Sequence, residues 1–294
     1  MRQTQEPYAP ADGELPGAAR RFAASQWFSG LTRLGYAAKG IVYLLMGWLA
    51  ILTALGYRAG ANDAQTSLQI IGRQPAGPLL LSVIGAGLAG YALWNGLRAI
   101  GNFEGMGPFW RLGRAGRLLA YGGLAVAAFR LAASGRAAAA GIASSDSAAR
   151  HWSAQALSQP FGVWLLAAAG LTVIGVGLWQ FYLAWLARFR DELDLESLSP
   201  RRRRWLVAFG RVGLAARGAV FGLIGGFLLN AALRHDPREA RGLGGALNEI
   251  ARQDYGQLAL AAVAAGLVCH GLYSLGEARY HRLAGPREAP APGA

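Results

Sequence analysis

Six apolar stretches alternate with polar ones along the chain, at residues 40–57, 79–97, 118–131, 161–185, 218–233 and 258–275. An α-helix rises 1.5 Å per residue, so about 20 residues cross the hydrocarbon layer of a bilayer. Extended into their flanks, the six stretches predict six transmembrane helices. Between them lie a polar link (58–74) with a short surface helix expected in its centre (62–72), and two longer connections read as loops (132–159 and 235–253). The first 25 residues are polar and rich in Pro, Gly and Ala, which predicts disorder. Arg20 and Arg21 then lead into Trp27 and Phe28, a stretch suited to the membrane interface. Lys39 falls early in the first span and is expected to snorkel its amine back to the headgroups.

A short phrase opens three of the six stretches. It reads RLGYAAK at 33–39, RLGRAGR at 111–117 and RVGLAAR at 211–217. Ten residues after each leading Arg stands an aromatic (Tyr43, Tyr121, Phe221), and four later a small residue (Gly47, Ala125, Gly225). The other three stretches carry their own opening signature: QPAG at 74–77, QPFG at 159–162 and QDYG at 253–256. They continue, at a constant offset, into YALW (91–94), VGLW (176–179) and HGLY (270–273). The repeat is therefore a pair of helices, present three times. Proline is tolerated at a helix start, where its missing N–H would be unpaired anyway; in the third copy Asp254 replaces it and can cap the helix. The predicted units are 27–100, 101–190 and 205–283, with a leading segment 1–26, a basic linker 191–204 and a tail 284–294. The fold class is an all-α integral membrane protein, three hairpins inserted in one sense as a pseudo-threefold bundle.

Composition agrees. Only 15% of residues are charged and mean hydropathy is +0.26, against about 25% charge in a soluble domain. The net charge of +13 would suggest nucleic acid on a soluble protein. Here the arginines gather at the mouths of apolar stretches, so no nucleic-acid partner is expected. Twenty of the 29 Lys and Arg residues lie on the side of the phrases and both chain ends. The positive-inside rule places that side, with Arg201–204, in the cytoplasm. A single cysteine makes no internal disulfide. Glycines at four-residue spacing, such as Gly218, Gly222 and Gly226, suit close helix packing, which substitutes for hydrophobic attraction in lipid.

The first candidate site is the phrase itself. Its positions one and seven are always basic: Arg33 and Lys39, Arg111 and Arg117, Arg211 and Arg217. Six helical residues turn about 240° net, so the two cannot share a face. One can meet headgroups while the other faces the bundle. The plain reading is a positive-inside anchor; the sharper one is a threefold collar of cations holding an anionic lipid or substrate. Cys269 and His270 are polar groups inside the sixth span, a second candidate site. Glu277 and Arg279 read as an interface cap. Most tryptophans, including Trp94 and Trp185, fall near span ends as an aromatic belt. No Walker loop, HExxH, CxxC or GxSxG occurs, and GAGLAG at 85–90 lies in mid-span, where no dinucleotide site forms. No carboxylate pair lies within a span, and the interior reads as almost uncharged. Neither an enzyme, a cofactor nor a metal is expected.

RLGYAAKGIVY (33–43), RVGLAARGAVFGLIG (211–225), the weaker RLGRAGRLLAY (111–121) and QPAG…GLAGYALW resemble the repeat of the DUF1206 family of prokaryotic membrane proteins. The resemblance covers roughly 27–281 and implies a three-unit, six-span protein of the plasma membrane, with no activity, substrate or cofactor attached. The second copy departs most, with Arg114 where the others have Tyr36 and Leu214. The expected function is structural or accessory, binding anionic lipid, a membrane partner or a second copy through the collar. The alternative is a small-solute transporter or channel along the threefold axis.

Overall fold

A computed structural model describes residues 26–57, 63–101, 108–134, 144–187, 189–190 and 193–280. The leading segment with Arg20 and Arg21 and the tail lie outside the described residues, as do the side chains of Trp27, Phe28 and Arg111. The architecture is helical: α1 (Gln26–Ala54), α2 (Ala64–Gly72), α3 (Gly77–Gly101), α4 (Pro108–Ser134), α5 (Ser145–Leu157), α6 (Gly162–Leu186), α7 (Pro200–Arg234), α8 (Leu243–Arg252) and α9 (Gly256–Tyr280). Six of these are 25 residues or longer. Five are long and apolar enough to cross a membrane: Gly30–Ala54, Gly77–Leu97, Gly162–Leu186, Pro200–Arg234 and Gly256–Tyr280. The sixth long helix, α4, carries Arg111, Arg114, Arg117 and Arg130 and is not among them.

Each repeat adds a short helix between its long ones, respectively α2, α5 and α8. The first was expected; the other two stand where the sequence read as loops. Their starts show why they form. Asp63 caps α2 by accepting from Thr66 N (2.8 Å), and its second oxygen accepts from Ser145 N (2.7 Å) at the head of α5. Gly242, at the cap of α8, has no side chain to offer; Asp146 of α5 accepts from Gly242 N and Gly245 N instead, both at 2.8 Å. The caps thus tie the three short helices into one layer across the end of the bundle opposite the phrases.

The long helices pack through the repeat in a regular order. The three most extensive contacts are α6 with α7, α9 with α1 and α3 with α4. Each joins the second helix of one unit to the first helix of the next. Glycine makes them close. A Cβ on Gly40 would lie 2.9 Å from Gly271 O, and one on Gly271 would lie 2.9 Å from Gly40 O. Gly218 and Gly177, the corresponding pair between units two and three, are equally tight at 2.8 and 2.7 Å. Between units one and two the same positions hold Leu118 and Ala92.

Within units, α1 packs on α3 and α7 on α9, whereas α4 and α6 make no comparable contact among the described residues. Here too the sequence explains the difference. Gly35 presses on Gly87 O and Tyr91 Cβ, both 2.7 Å from its would-be Cβ, and Gly213 on His270 Cα at 2.6 Å. The matching Gly113 of the second unit faces open space. Buried apolar clusters fill the remaining interior, one around Val42, Met46, Leu81 and Leu88, another around Ala50, Val220, Leu260 and Leu267.

Candidate functional site

The phrase sets position one outward and position seven inward in two units. Arg33 and Arg211 are exposed, while Lys39 is buried and Arg217 half-buried. In the second unit Arg117 is exposed. Lys39 does not snorkel. It ends 2.8 Å from the Glu277 carboxylate of α9, with side-chain exposures of 5% and 9%. Glu277 is thus no interface cap, and the interior is not uncharged. A carboxylate within reach gives the inward rotamer a partner, and each buried charge offsets part of the other's desolvation.

Aromatic rings build the walls. Lys39 Nζ lies 5.0 Å from the centre of Tyr36 and 5.3 Å from that of Tyr91. Tyr36 meets Tyr91 edge-on at 5.0 Å, and Tyr91 meets Tyr121 of α4 at 4.8 Å. Arg217 Cζ lies over Tyr43 (5.3 Å) and Phe221 (5.4 Å). Such faces attract a cation through their negative quadrupole. Tyr43 also meets His270 edge-on at 4.6 Å. Five long helices, α1, α3, α4, α7 and α9, therefore converge on one cluster.

Its hydrogen bonding is incomplete. Arg217 Nη1 lies 3.1 Å from His270 Nε2. Guanidinium has no acceptor, so Arg217 donates and Nε2 carries no proton; the ring is neutral and its proton sits on Nδ1. That Nδ1 has no partner among the described residues, nor do Arg217 Nε, Ser274 Oγ and both amide atoms of Gln180. No carboxylate stands within ion-pair distance of Arg217 among them either. Close contacts fix the heights: Gly213 against His270, and Gly218 against Gly177. Gln180 and His270 thus lie within about one helical turn of Arg217. Two cations share one carboxylate here, and four buried N–H or O–H donors, on Arg217, His270, Ser274 and Gln180, have nothing to give to among the described residues. The arrangement suits an acceptor carrying negative charge.

Cys269, the neighbour of His270, is half-buried and belongs to no group of metal-capable side chains among the described residues. His270, Ser274 and Glu277 stand at spacings of four and three, one face of α9; that spacing was the sequence signal for Glu277. Tyr91 and Tyr121 stand in the repeat motifs, in YALW and as the aromatic after the phrase, but only packing brings them beside Lys39 and each other. Arg114 is a further buried cation on α4.

These features define an all-helical protein of three repeated units, with membrane-length apolar helices and charges turned into the bundle. The chain belongs to the family described as Domain of Unknown Function (DUF1206), which matches it three times, at residues 34–101, 112–187 and 212–281. It is similar to the uncharacterized protein YxxB of Bacillus subtilis (strain 168), 37% identical over 258 residues that cover 87% of this chain and 92% of that protein. No solved structure matches it.

Proposed function

We propose that this is a non-enzymatic accessory protein of the bacterial plasma membrane that holds an anionic lipid headgroup against Arg217 in the bundle interior. One observation carries the reading: Arg217, His270 and Ser274 present unpartnered donors, and the Glu277 carboxylate that Arg217 shares is already paired with Lys39. An uncompensated charge inside a span costs several kcal/mol, so a bound anion stabilises the bundle. The collar then has two parts. Lys39 and Arg217 face the site, while Arg33, Arg117 and Arg211 face the headgroups as anchors, with Arg111 at the matching position. α4 crosses as the sixth span, with Arg111, Arg114 and Arg117 toward the cytoplasmic mouth and Arg130 near the far end, and the three hairpins form a threefold ring left open between α4 and α6. That opening suits entry of a headgroup from the side. The layer of α2, α5 and α8 over the far end favours holding a ligand over conducting one. Both chain ends lie in the cytoplasm.

Native mass spectrometry of the protein released from membranes tests this. Wild type is expected to carry anionic lipid, Arg217→Gln to lose it, and Arg33→Gln to keep it. Equal anionic-lipid retention in wild type and Arg217→Gln overturns the proposal.

A further inference from the structure

The layer of short helices holds a second basic recess, remote from the interior cluster. It has an accessible volume of about 170 Å³ and is lined by Asp146 and Arg150 of α5, and by Arg241, Gly245, Asn248 and Arg252 at α8. Its charges do not cancel. The Asp146 carboxylate is engaged by Gly242 N and Gly245 N, where it caps α8. Arg241 is paired with Glu249. Arg150 and Arg252 meet no carboxylate within ion-pair distance among the described residues, and both are exposed at the rim. Three arginines therefore stand against two carboxylates, each of which already has its partner.

The walls are held in place by partly buried bonds. Asp63, fully buried, fixes the head of α5 through Ser145 N, and Asp146 fixes the head of α8. Gly245 lies so close to Asp146 that a Cβ there would sit 2.8 Å from its Oδ1, so the α5–α8 contact leaves no room for a side chain. Arg150 and Arg252 thus project from two helices of two different units into one recess whose shape is set by their joint capping. A water molecule occupies about 30 Å³ in the liquid, so the recess takes an object several waters in size. Guanidinium forks match tetrahedral oxyanions with paired N–H donors, and Asn248 adds an amide.

We infer that this recess is a phosphate-binding site, with Arg150 and Arg252 as its clamps. The group bound is a phosphate or phosphomonoester, free in solution or carried on a lipid head. It is independent of the interior site: neither shares a residue with the other.

The test uses the full chain in nanodiscs of zwitterionic lipid, titrated with inorganic phosphate by calorimetry. Saturable binding is expected in wild type, with at least a tenfold weaker response in the double variant Arg150→Gln, Arg252→Gln. Displacement of phosphate by phosphatidic acid in the disc assigns the group to a lipid head; no displacement assigns it to a free phosphate. Should the double variant fail to fold, Arg150→Lys with Arg252→Lys keeps the charge, removes the fork, and is expected to bind more weakly than wild type. No saturable binding by wild type, or undiminished binding by the variants, overturns the inference.

Discussion

Lys39, Arg117 and Arg217 occupy one position of the repeat and meet three different fates, which the neighbouring register explains. The place that Glu277 takes beside Lys39 is filled by Arg98 in the first unit and by Leu183 in the second. Likewise, where Tyr91 and His270 receive the cations of their own units, the second unit offers Val176. Lys39 thus gains a carboxylate and two rings, Arg217 gains a histidine and two rings, and Arg117 gains neither and turns out. Two predictions follow at this scale. Lys39→Gln leaves the Glu277 carboxylate buried without its partner, and is expected to lower stability by about 3–5 kcal/mol. Arg117→Gln is expected to change it by no more than about 0.5 kcal/mol. Denaturation in a mild detergent compares the two, and equal losses would mean that the Lys39–Glu277 pair is not buried in the membrane-embedded protein.

Among elements, glycine decides which helices touch. Gly40, Gly177, Gly218 and Gly271 each lie within 3 Å, by their would-be Cβ, of a facing backbone oxygen. Gly271→Val should separate α9 from α1 and lower stability by at least the ~1–3 kcal/mol of an overpacked core. Gly222, which faces open space, should accept alanine and gain helix propensity of up to about 1 kcal/mol. Thermal unfolding of the two variants should move in opposite directions. The short helices depend on each other's caps. Asp146→Ala removes the acceptor for two N–H groups of α8, at an expected cost of about 0.5–2 kcal/mol. Hydrogen exchange should then rise in the first turn of α8 and leave α2 unchanged.

At the scale of the whole molecule, the proposed topology has six crossings with the phrases inside. Impermeant thiol labelling in a Cys269→Ser background checks it. Single cysteines at Arg33 or Arg201 should react only from the cytoplasmic side, and those at Asn62 or Arg238 only from the other. Labelling that sets Arg33 and Arg111 on opposite faces would remove α4 as a span and with it the like-oriented hairpins. The opening proposed between α4 and α6 belongs to this scale as well. It arises because the second unit lacks the close pairs of the other two, with Gly113 touching nothing.

What the chain determined by itself was periodic. Three copies of one phrase, three copies of one opening signature and apolar stretches near the length of a bilayer crossing set the long helices and the membership in the DUF1206 family. Spacing alone also put positions one and seven of the phrase on different faces, because a helix's angle per residue is constant. The short helices were harder to read: α8 has no side chain at its own cap and takes Asp146 from α5 instead, and α5, though locally capped by Ser144, also draws on the distant Asp63. The interior cluster was harder still. Lys39 and Glu277 stand 238 residues apart, and an angle on a helix says nothing about what lies opposite. Only the packing of α9 on α1 decided that a lysine expected to reach for the headgroups finds a buried carboxylate instead.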